Sequence, residues 1–328
     1  MTTNVVREPG CLAPVAIDPV VADPEAIRAM ARANGPYFMP ARYLIDGEAA
    51  ADARDGRSRR RGDVPAELIG PVWRGDWAVH GQPLVTGVEA ILHHDGFIDA
   101  ARHIFAAEVV VPEQVYVNLT APKRGDAMSH TDIPEFIGID RTNVPGWLLQ
   151  AMNGSGLFED VRISIATAVA WFHHGDRGFF RYWPNGRDAD SVRHEAMWNT
   201  AVVGDNDFMH HKVERLGDTP LARDRMTIDT CLDHDGETWV VIDDGQTIAT
   251  VADADIRLSV SWKARIYATE ATRLAVDRGE GAIDVAEVFD RFAAALDEPL
   301  AATGPDALTS PALRDQLAGR WSGYRLDR

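Results

Sequence analysis

The residues best suited to chemistry lie in the segment 129–134, Ser-His-Thr-Asp-Ile-Pro. His130 and Asp132 are two positions apart, and residues two apart on a β-strand face the same side. An imidazole and a carboxylate can therefore point together towards one metal ion. His211 offers a third ligand downstream, with its neighbour His210 as the alternative. Two histidines and one carboxylate on one face of a metal leave the opposite coordination positions open.

A second polar pattern occupies residues 256–263. Apolar residues alternate there with a polar set, Arg257, Ser259, Ser261 and Lys263. The alternation predicts a strand with one apolar and one polar face. An arginine and a hydroxyl two residues apart can hold one carboxylate together, the guanidinium by two hydrogen bonds and the hydroxyl by one. The alternative is an edge strand whose polar face lies in water.

Composition and charge are those of a folded, acidic protein. The chain has 328 residues, 45% of them hydrophobic and 25% charged, and its formal net charge is −17. A field of that sign repels phosphate backbones and anionic lipids, so neither nucleic acid nor a membrane is an expected partner. The two cysteines, Cys11 and Cys231, are too few for a disulfide framework or a thiolate zinc site. The first residues lack the order of a signal peptide, and we expect a cytoplasmic protein.

Short strands are the elements expected to position these residues. Beyond Val109, β-rich runs alternate with Gly, Asp and Asn, a pattern typical of a sandwich, barrel or jelly roll. Helices are predicted over 23–34, 85–108, 284–300 and 310–321, with Gly96 as the residue expected to interrupt the second. The sequence therefore predicts a mainly β fold with flanking helices, of the α+β class.

These motifs resemble those of the Fe(II)- and 2-oxoglutarate-dependent oxygenases. The resemblance lies in His130-x-Asp132, in His211 before Lys-Val, and in Arg257-x-Ser259, and it covers residues 109 to about 268. It implies a double-stranded β-helix, or jelly-roll, core over that range. It also implies an Fe(II)/2-oxoglutarate-dependent dioxygenase that uses O2.

The same resemblance implies roles for individual residues. The metal ligands would be His130, Asp132 and His211, and the 2-oxoglutarate ligands would be Arg257 and Ser259, with Tyr116 and Asn118 as further contacts. Halogenases of this family replace the carboxylate ligand by a small residue, whereas Asp132 is present here. Hydroxylation or desaturation of a small molecule, with release of succinate and CO2, is therefore the expected reaction.

The position of the arginine departs from the family pattern. The 2-oxoglutarate arginine usually follows shortly after the distal histidine, but Arg257 lies 46 residues beyond His211. Either a hairpin insertion over 238–255 intervenes, or the role belongs to Arg223 or Arg225. Arg225-Met-Thr227 also places a basic and a hydroxyl residue two apart. The cleaner alternation around Arg257 favours that residue.

An aromatic segment over 171–184 separates the two parts of the metal motif. Its residues either pack into the jelly-roll core or line a substrate pocket, for which the candidates are Trp171, Arg181, Tyr182 and Trp183. His173 and His174 in the same segment are rival metal ligands, although an adjacent pair after an apolar strand is more typical of a turn.

The domain prediction follows from these assignments. Residues 1–65 are expected to form an N-terminal arm with a mobile arginine-rich loop at 51–63, and residues 66–328 a single catalytic domain. Two other functions remain alternatives, a cupin-like metalloenzyme that does not use 2-oxoglutarate and a non-catalytic β domain that binds a ligand.

Overall fold

The structure is a computed structural model that describes residues 11–42, 69–217, 219–222, 224–304 and 307–321. The arginine-rich segment 51–63 and Arg223 lie outside these ranges. The strands in chain order are β1 (Val15–Ile17), β2 (Tyr37–Phe38), β3 (Val72–Val79), β4 (Gln82–Pro83), β5 (Val109–Thr120), β6 (Glu135–Phe136), β7 (Arg162–Phe172), β8 (Phe180–Trp183), β9 (Val192–His194), β10 (Trp198–Gly204), β11 (His210–Val213), β12 (Cys231–His234), β13 (Trp239–Asp243), β14 (Gln246–Val251) and β15 (Arg257–Tyr267). The helices are α1 (Pro24–Ala33), α2 (Glu89–Leu92), α3 (Asp95–Phe105), α4 (Gly146–Ser155), α5 (Glu270–Asp277), α6 (Val285–Ala295) and α7 (Pro311–Trp321).

The strands form two sheets of unequal size. The larger sheet has twelve strands and runs β1-β10-β7-β15-β5-β3-β2-β12-β13-β14, with β4 beside β3 and β6 beside β7. The smaller sheet runs β11-β8-β9. The segment 123–130 lies along its edge, because Lys123 bridges Leu216 and His130 bridges His211, both in antiparallel fashion.

The chain passes repeatedly between the two sheets. Strands β5, β7, β10 and β15 are neighbours in the larger sheet, whereas segment 123–130, β8, β9 and β11 belong to the smaller one. These strand pairings are antiparallel. The sheets face each other where Trp171 of β7 contacts Phe180 of β8, with ring centroids 5.1 Å apart. The predicted mainly β fold with a jelly-roll core and flanking helices is thereby confirmed.

Strand β15 is central in the larger sheet and is buried on both faces. Its apolar residues join the main hydrophobic core together with residues of α1, α2 and α3. On the opposite face Arg257, Ser259 and Ser261 are only 2%, 2% and 3% exposed. The predicted alternation is confirmed. The alternative of an edge strand with a polar face in water is wrong, because β15 lies between β5 and β7.

The predicted helices are present, with one change. Helix α1 begins after Asp23, whose carboxylate accepts a hydrogen bond from the Ala26 N–H. The single helix predicted over 85–108 is two helices, α2 and α3, which meet at His93 and His94. The break falls there rather than at Gly96, because the His94 Nδ1 accepts the N–H of Phe97 and so caps α3. No helix of the described residues has the length and apolarity to span a bilayer.

Other strands extend the larger sheet beyond β10 at one end and beyond β5 at the other. Strand β1 pairs with β10, and β2 lies between β3 and β12. Strands β13 and β14 form an antiparallel hairpin between His211 and Arg257. This hairpin is the predicted insertion, and it accounts for the long separation of the two residues in sequence.

Arg28 attaches α1 to the end of β7 and to the residues just before β15. Its side chain is 3% exposed and pairs with Asp253 at 2.9 Å. The same guanidinium donates to the carbonyl oxygens of Phe172 and Asp253, each at 2.6 Å. Arg32 binds the same Asp253 oxygen at 3.2 Å from a more exposed position.

We predict that Arg28→Met lowers the free energy of unfolding by about 3 kcal/mol, because it leaves the buried Phe172 carbonyl oxygen without this donor and removes the buried cation that pairs with Asp253. Arg32→Met, which removes a more exposed ion pair to the same acceptor, is the control and should cost at most about 1 kcal/mol. Urea unfolding followed by tryptophan fluorescence measures both. Equal losses in the two variants would contradict the assignment.

Candidate metal centre

His130 and His211 are held side by side by backbone hydrogen bonds. The N–H of His130 donates to the His211 carbonyl at 3.0 Å, and the N–H of His211 donates to the His130 carbonyl at 2.9 Å. This reciprocal pair fixes the two Cα atoms opposite each other, so the side chains share a face. The imidazole centroids are 4.5 Å apart.

Each imidazole has its tautomer set by a carbonyl two residues earlier. The Nδ1 of His130 lies 3.0 Å from the Met128 oxygen, and the Nδ1 of His211 lies 2.9 Å from the Met209 oxygen. A carbonyl oxygen only accepts, so both Nδ1 atoms carry the proton. Both Nε2 atoms then hold a free lone pair, which is the form in which histidine binds a metal.

Asp132 completes the group. Its N–H donates to the Asn206 carbonyl at 2.8 Å. Its Oδ1 lies 3.6 Å from the Nε2 of His211. One ligand atom each from His130, Asp132 and His211 lie within 4.8 Å of one another, as a metal ion would require. The donor set of two imidazoles and one carboxylate suits Fe(II) and leaves coordination positions for other ligands.

The second carboxylate oxygen of Asp132 is occupied by protein donors. Lys263 lies 2.6 Å from Oδ2, and the Thr167 hydroxyl donates to the same atom at 3.2 Å. Burial by itself would raise the pKa of Asp132, but the charge and hydrogen bond of Lys263, together with the charges of His211 and His130, outweigh it and hold that pKa well below its usual range. Burial and the neighbouring His130 lower the pKa of His211 to about 4, so its imidazole is neutral at neutral pH.

Arg257 is a buried cation without an acidic partner in the described part of the chain. Its Nε donates to the Gly178 carbonyl at 2.7 Å, and its Nη1 donates to the Ser259 hydroxyl at 3.3 Å. Burial lowers the pKa of Arg257 to about 9, so the guanidinium still carries its charge at neutral pH. A buried charge of this kind is costly unless a ligand compensates it.

The residue at position 178 allows Arg257 to lie where it does. Gly178 has φ +73°, and a Cβ added there would lie 3.0 Å from the Arg257 Cδ and 2.8 Å from Leu216. A larger residue would therefore be strained and would displace the guanidinium.

The other two residues predicted for the co-substrate lie on the same sheet face. Tyr116 is the register partner of Ser261, and Asn118 is the partner of Ser259. The guanidinium of Arg74 covers the Tyr116 ring at 3.7 Å from its centroid. Tyr116 and Asn118 are thus beside the polar face of β15.

The four residues predicted to contact substrate are separated by the structure. Trp171 is fully buried between Phe180 and His194. Tyr182 is the register partner of His211 and shares its face. Arg181 and Trp183 alternate with Tyr182, and the Arg181 guanidinium binds Glu214 and Ser191. Among the four, Tyr182 pairs with His211 and Trp171 pairs with Ser259, so both share a sheet face with residues of the candidate site.

The rival residues occupy other positions. His210 alternates with His211 and faces the other side of β11, as the partner of Trp183. His173 and His174 do not join the His130–Asp132–His211 group. Arg225 is exposed, whereas Arg257 is buried on the polar face of β15.

The sequence does not predict two contacts of Asp132, those with Lys263 and with Thr167. The alternation over 257–263 predicts that Lys263 lies on the same face as Arg257 and Ser259, but it does not predict Asp132 as its partner. Thr167 carries no sequence signal, because its contact with Asp132 depends on the pairing of β7 with β15.

Comparisons with known proteins give structural likenesses alone. No family model and no curated protein matches the chain. HygX of Streptomyces hygroscopicus, with nickel and 2-oxoglutarate bound, is 9% identical over 83% of this chain and 91% of its own, with a TM-score of 0.39. A prolyl-4-hydroxylase of Pseudomonas putida is 15% identical over 71% and 91%, with a TM-score of 0.32. The α-ketoglutarate-dependent carbocyclase SnoK from nogalamycin biosynthesis is 11% identical over 77% and 79%, with a TM-score of 0.39.

The chain resembles the Fe(II)- and 2-oxoglutarate-dependent oxygenases. The resemblance lies in its jelly-roll strand order and in the His130–Asp132–His211 group. At these identities the likeness to the solved structures concerns the fold alone.

We predict that His211→Ala and Asp132→Ala each abolish the stabilisation of the metal-free protein by added Ni(II) or Co(II). A metal at about 100 times its Kd stabilises a folded protein by about 2.7 kcal/mol, which a thermal-shift measurement detects readily. His210→Ala is the matched control, because its side chain faces away from Asp132, and it should keep the shift. Loss of the shift in His210→Ala alone would make His210 the ligand.

Proposed function

We propose that the protein is a non-haem Fe(II)- and 2-oxoglutarate-dependent oxygenase that hydroxylates or desaturates a small molecule. The observation that carries the proposal is Arg257, a buried guanidinium with no acidic partner in the described ranges, on the inward face of the strand whose Lys263 binds Asp132. One strand thus serves both a metal centre and a site for an anion.

The residues fit the metal and the co-substrate in chemical type. His130, Asp132 and His211 would hold Fe(II) through two nitrogen atoms and one oxygen atom. Arg257 and Ser259 would hold the distal carboxylate of 2-oxoglutarate, with the guanidinium donating two hydrogen bonds and the hydroxyl a third. When bound, iron and 2-oxoglutarate supply the oxidation, in which O2 gives one oxygen atom to succinate and CO2 is released.

The protein itself orients the ligand side chains, supplies charges and excludes water from the site. The carbonyls of Met128 and Met209 keep both imidazoles in the metal-binding tautomer. The two sheets bury the space around β15, which strengthens each charge–charge interaction within it. Tyr116 and Asn118 lie beside the polar face of β15, and we propose that they contact the co-substrate. Tyr182 pairs with His211 and Trp171 pairs with Ser259, and with Arg181 and Trp183 they are the proposed substrate residues.

The cofactor chemistry is tested by anaerobic addition of Fe(II) and then 2-oxoglutarate to the metal-free protein. We expect a metal-to-ligand charge-transfer band in the visible region that requires both additions. Iron binding without the band would favour a cupin-like metalloenzyme, and failure to bind any divalent metal would favour a non-catalytic β domain.

We predict that Arg257→Met weakens 2-oxoglutarate binding to the iron-loaded protein by about 10- to 100-fold, as expected for loss of charge-assisted hydrogen bonds in a buried site. Iron affinity should not fall, because Arg257 does not contact the triad and its charge has the same sign as that of the metal. Arg225→Met is the matched control, since Arg225 is the exposed rival in an Arg-x-Thr pattern. Titration of the charge-transfer band measures both variants, and a larger loss in Arg225→Met would transfer the role.

A further inference from the structure

Lysine is a rare residue in this chain. The lysines are Lys123, Lys212 and Lys263, and the rest of the 33 basic residues are arginines. One of these lysines lies at the metal centre. The side chain of Lys263 is only 18% exposed, and its ammonium is 2.6 Å from the Oδ2 of Asp132.

The two oxygen atoms of Asp132 are in different environments. Oδ2 receives both Lys263 and the Thr167 hydroxyl, at 2.6 and 3.2 Å. Oδ1 is 3.6 Å from the Nε2 of His211, whose Nδ1 proton is already given to a carbonyl. The carboxylate is therefore oriented by donors on one oxygen and presents the other to the histidines.

The type of cation decides how the carboxylate is held. An ammonium is a compact point charge, and it can bind one oxygen of a carboxylate and leave the other free. A guanidinium is a planar fork that can bind both oxygens of a carboxylate at once. In a chain that otherwise uses arginine almost throughout, lysine at position 263 is the residue that leaves Oδ1 available.

We propose that Lys263 is a positioning residue that keeps Asp132 a one-oxygen metal ligand. The ammonium and the Thr167 hydroxyl retain Oδ2, so only Oδ1 reaches a metal bound by His130 and His211. A carboxylate that bound through both oxygens would take one more coordination position. Lys263 would thereby leave that position open for a ligand that the protein does not supply. This inference rests on the proposed function.

The first test compares two substitutions of Lys263 in metal-free protein titrated with Co(II). Lys263→Arg keeps the charge but can engage both oxygens, so we expect a loss of Co(II) affinity of about tenfold or more. Lys263→Met removes a positive charge beside the site, so its Co(II) affinity should not fall. If charge alone mattered, Lys263→Arg would bind Co(II) as the wild type does, and that result would overturn the proposal.

The matched control is the surface pair of Lys212 and Asp126. Its nitrogen–oxygen distance is also 2.6 Å, and Lys212 faces away from His211 on β11. Lys212→Arg and Lys212→Met should leave Co(II) affinity unchanged. Melting temperatures of the metal-free proteins distinguish a folding defect, because a purely structural role would lower both stability and metal affinity in both Lys263 variants.

The second test examines the open position directly. Nitric oxide is added anaerobically to protein loaded with Fe(II) and 2-oxoglutarate, and its complex with iron is followed by electron paramagnetic resonance. In Lys263→Met the released carboxylate can bind through both oxygens, so nitric oxide affinity should fall by about tenfold or more. Wild-type affinity in this variant would overturn the proposal. If the wild-type protein itself bound no metal, the proposed function would fail instead, and the two failures are therefore distinct.

Discussion

Strand β15 is buried on two faces of opposite polarity, and the rest of the molecule depends on this constraint. Buried apolar groups stabilise the larger sheet without further conditions, whereas each buried polar group needs a partner. Helices α1, α2 and α3 cover the apolar face. The smaller sheet covers the polar face, and it brings His211 on β11 into the space opposite β15. Burying the polar residues of β15 between two sheets would lower stability in a simple sandwich. Here they line the candidate site instead.

Two of the polar residues on β15 have partners within the chain, and a third, Arg257, has no acidic partner among the described residues. Lys263 has Asp132, and Ser259 has the guanidinium of Arg257. Arg257 has a carbonyl and a hydroxyl, but no acid among the described residues. An uncompensated guanidinium in a buried site is a cost to the folded protein that an anionic ligand can repay. For this reason the unpaired cation is a stronger sign of a binding site than the alternation of the strand.

Much of the centre could be predicted from the sequence because it depends on short spacings. The step Arg257-x-Ser259 fixes a shared face because it lies on β15. The step His130-x-Asp132 lies between β5 and β6, where the bridge to His211 positions His130 and the hydrogen bond to the Asn206 carbonyl positions Asp132. Strand alternation also separates His211 from His210. The partner of Asp132 depends instead on strand register, since Thr167 and Lys263 are opposite each other only because β7 pairs with β15. Likewise the break between α2 and α3 depends on a capping bond from His94, which the helical period does not contain.

Charge balance links the metal centre with the proposed anion site. Lys263 neutralises Asp132, so the triad alone offers a cation little net attraction, while Arg257 adds an unmatched positive charge. A divalent metal would make the buried space strongly positive, and a dicarboxylate would then restore most of the balance in a low-dielectric setting. On the proposed function, metal and 2-oxoglutarate are therefore mutually stabilising ligands. The formal net charge of −17 does not oppose this, because charges separated by more than a Debye length in solvent are largely screened, whereas those between the sheets are not.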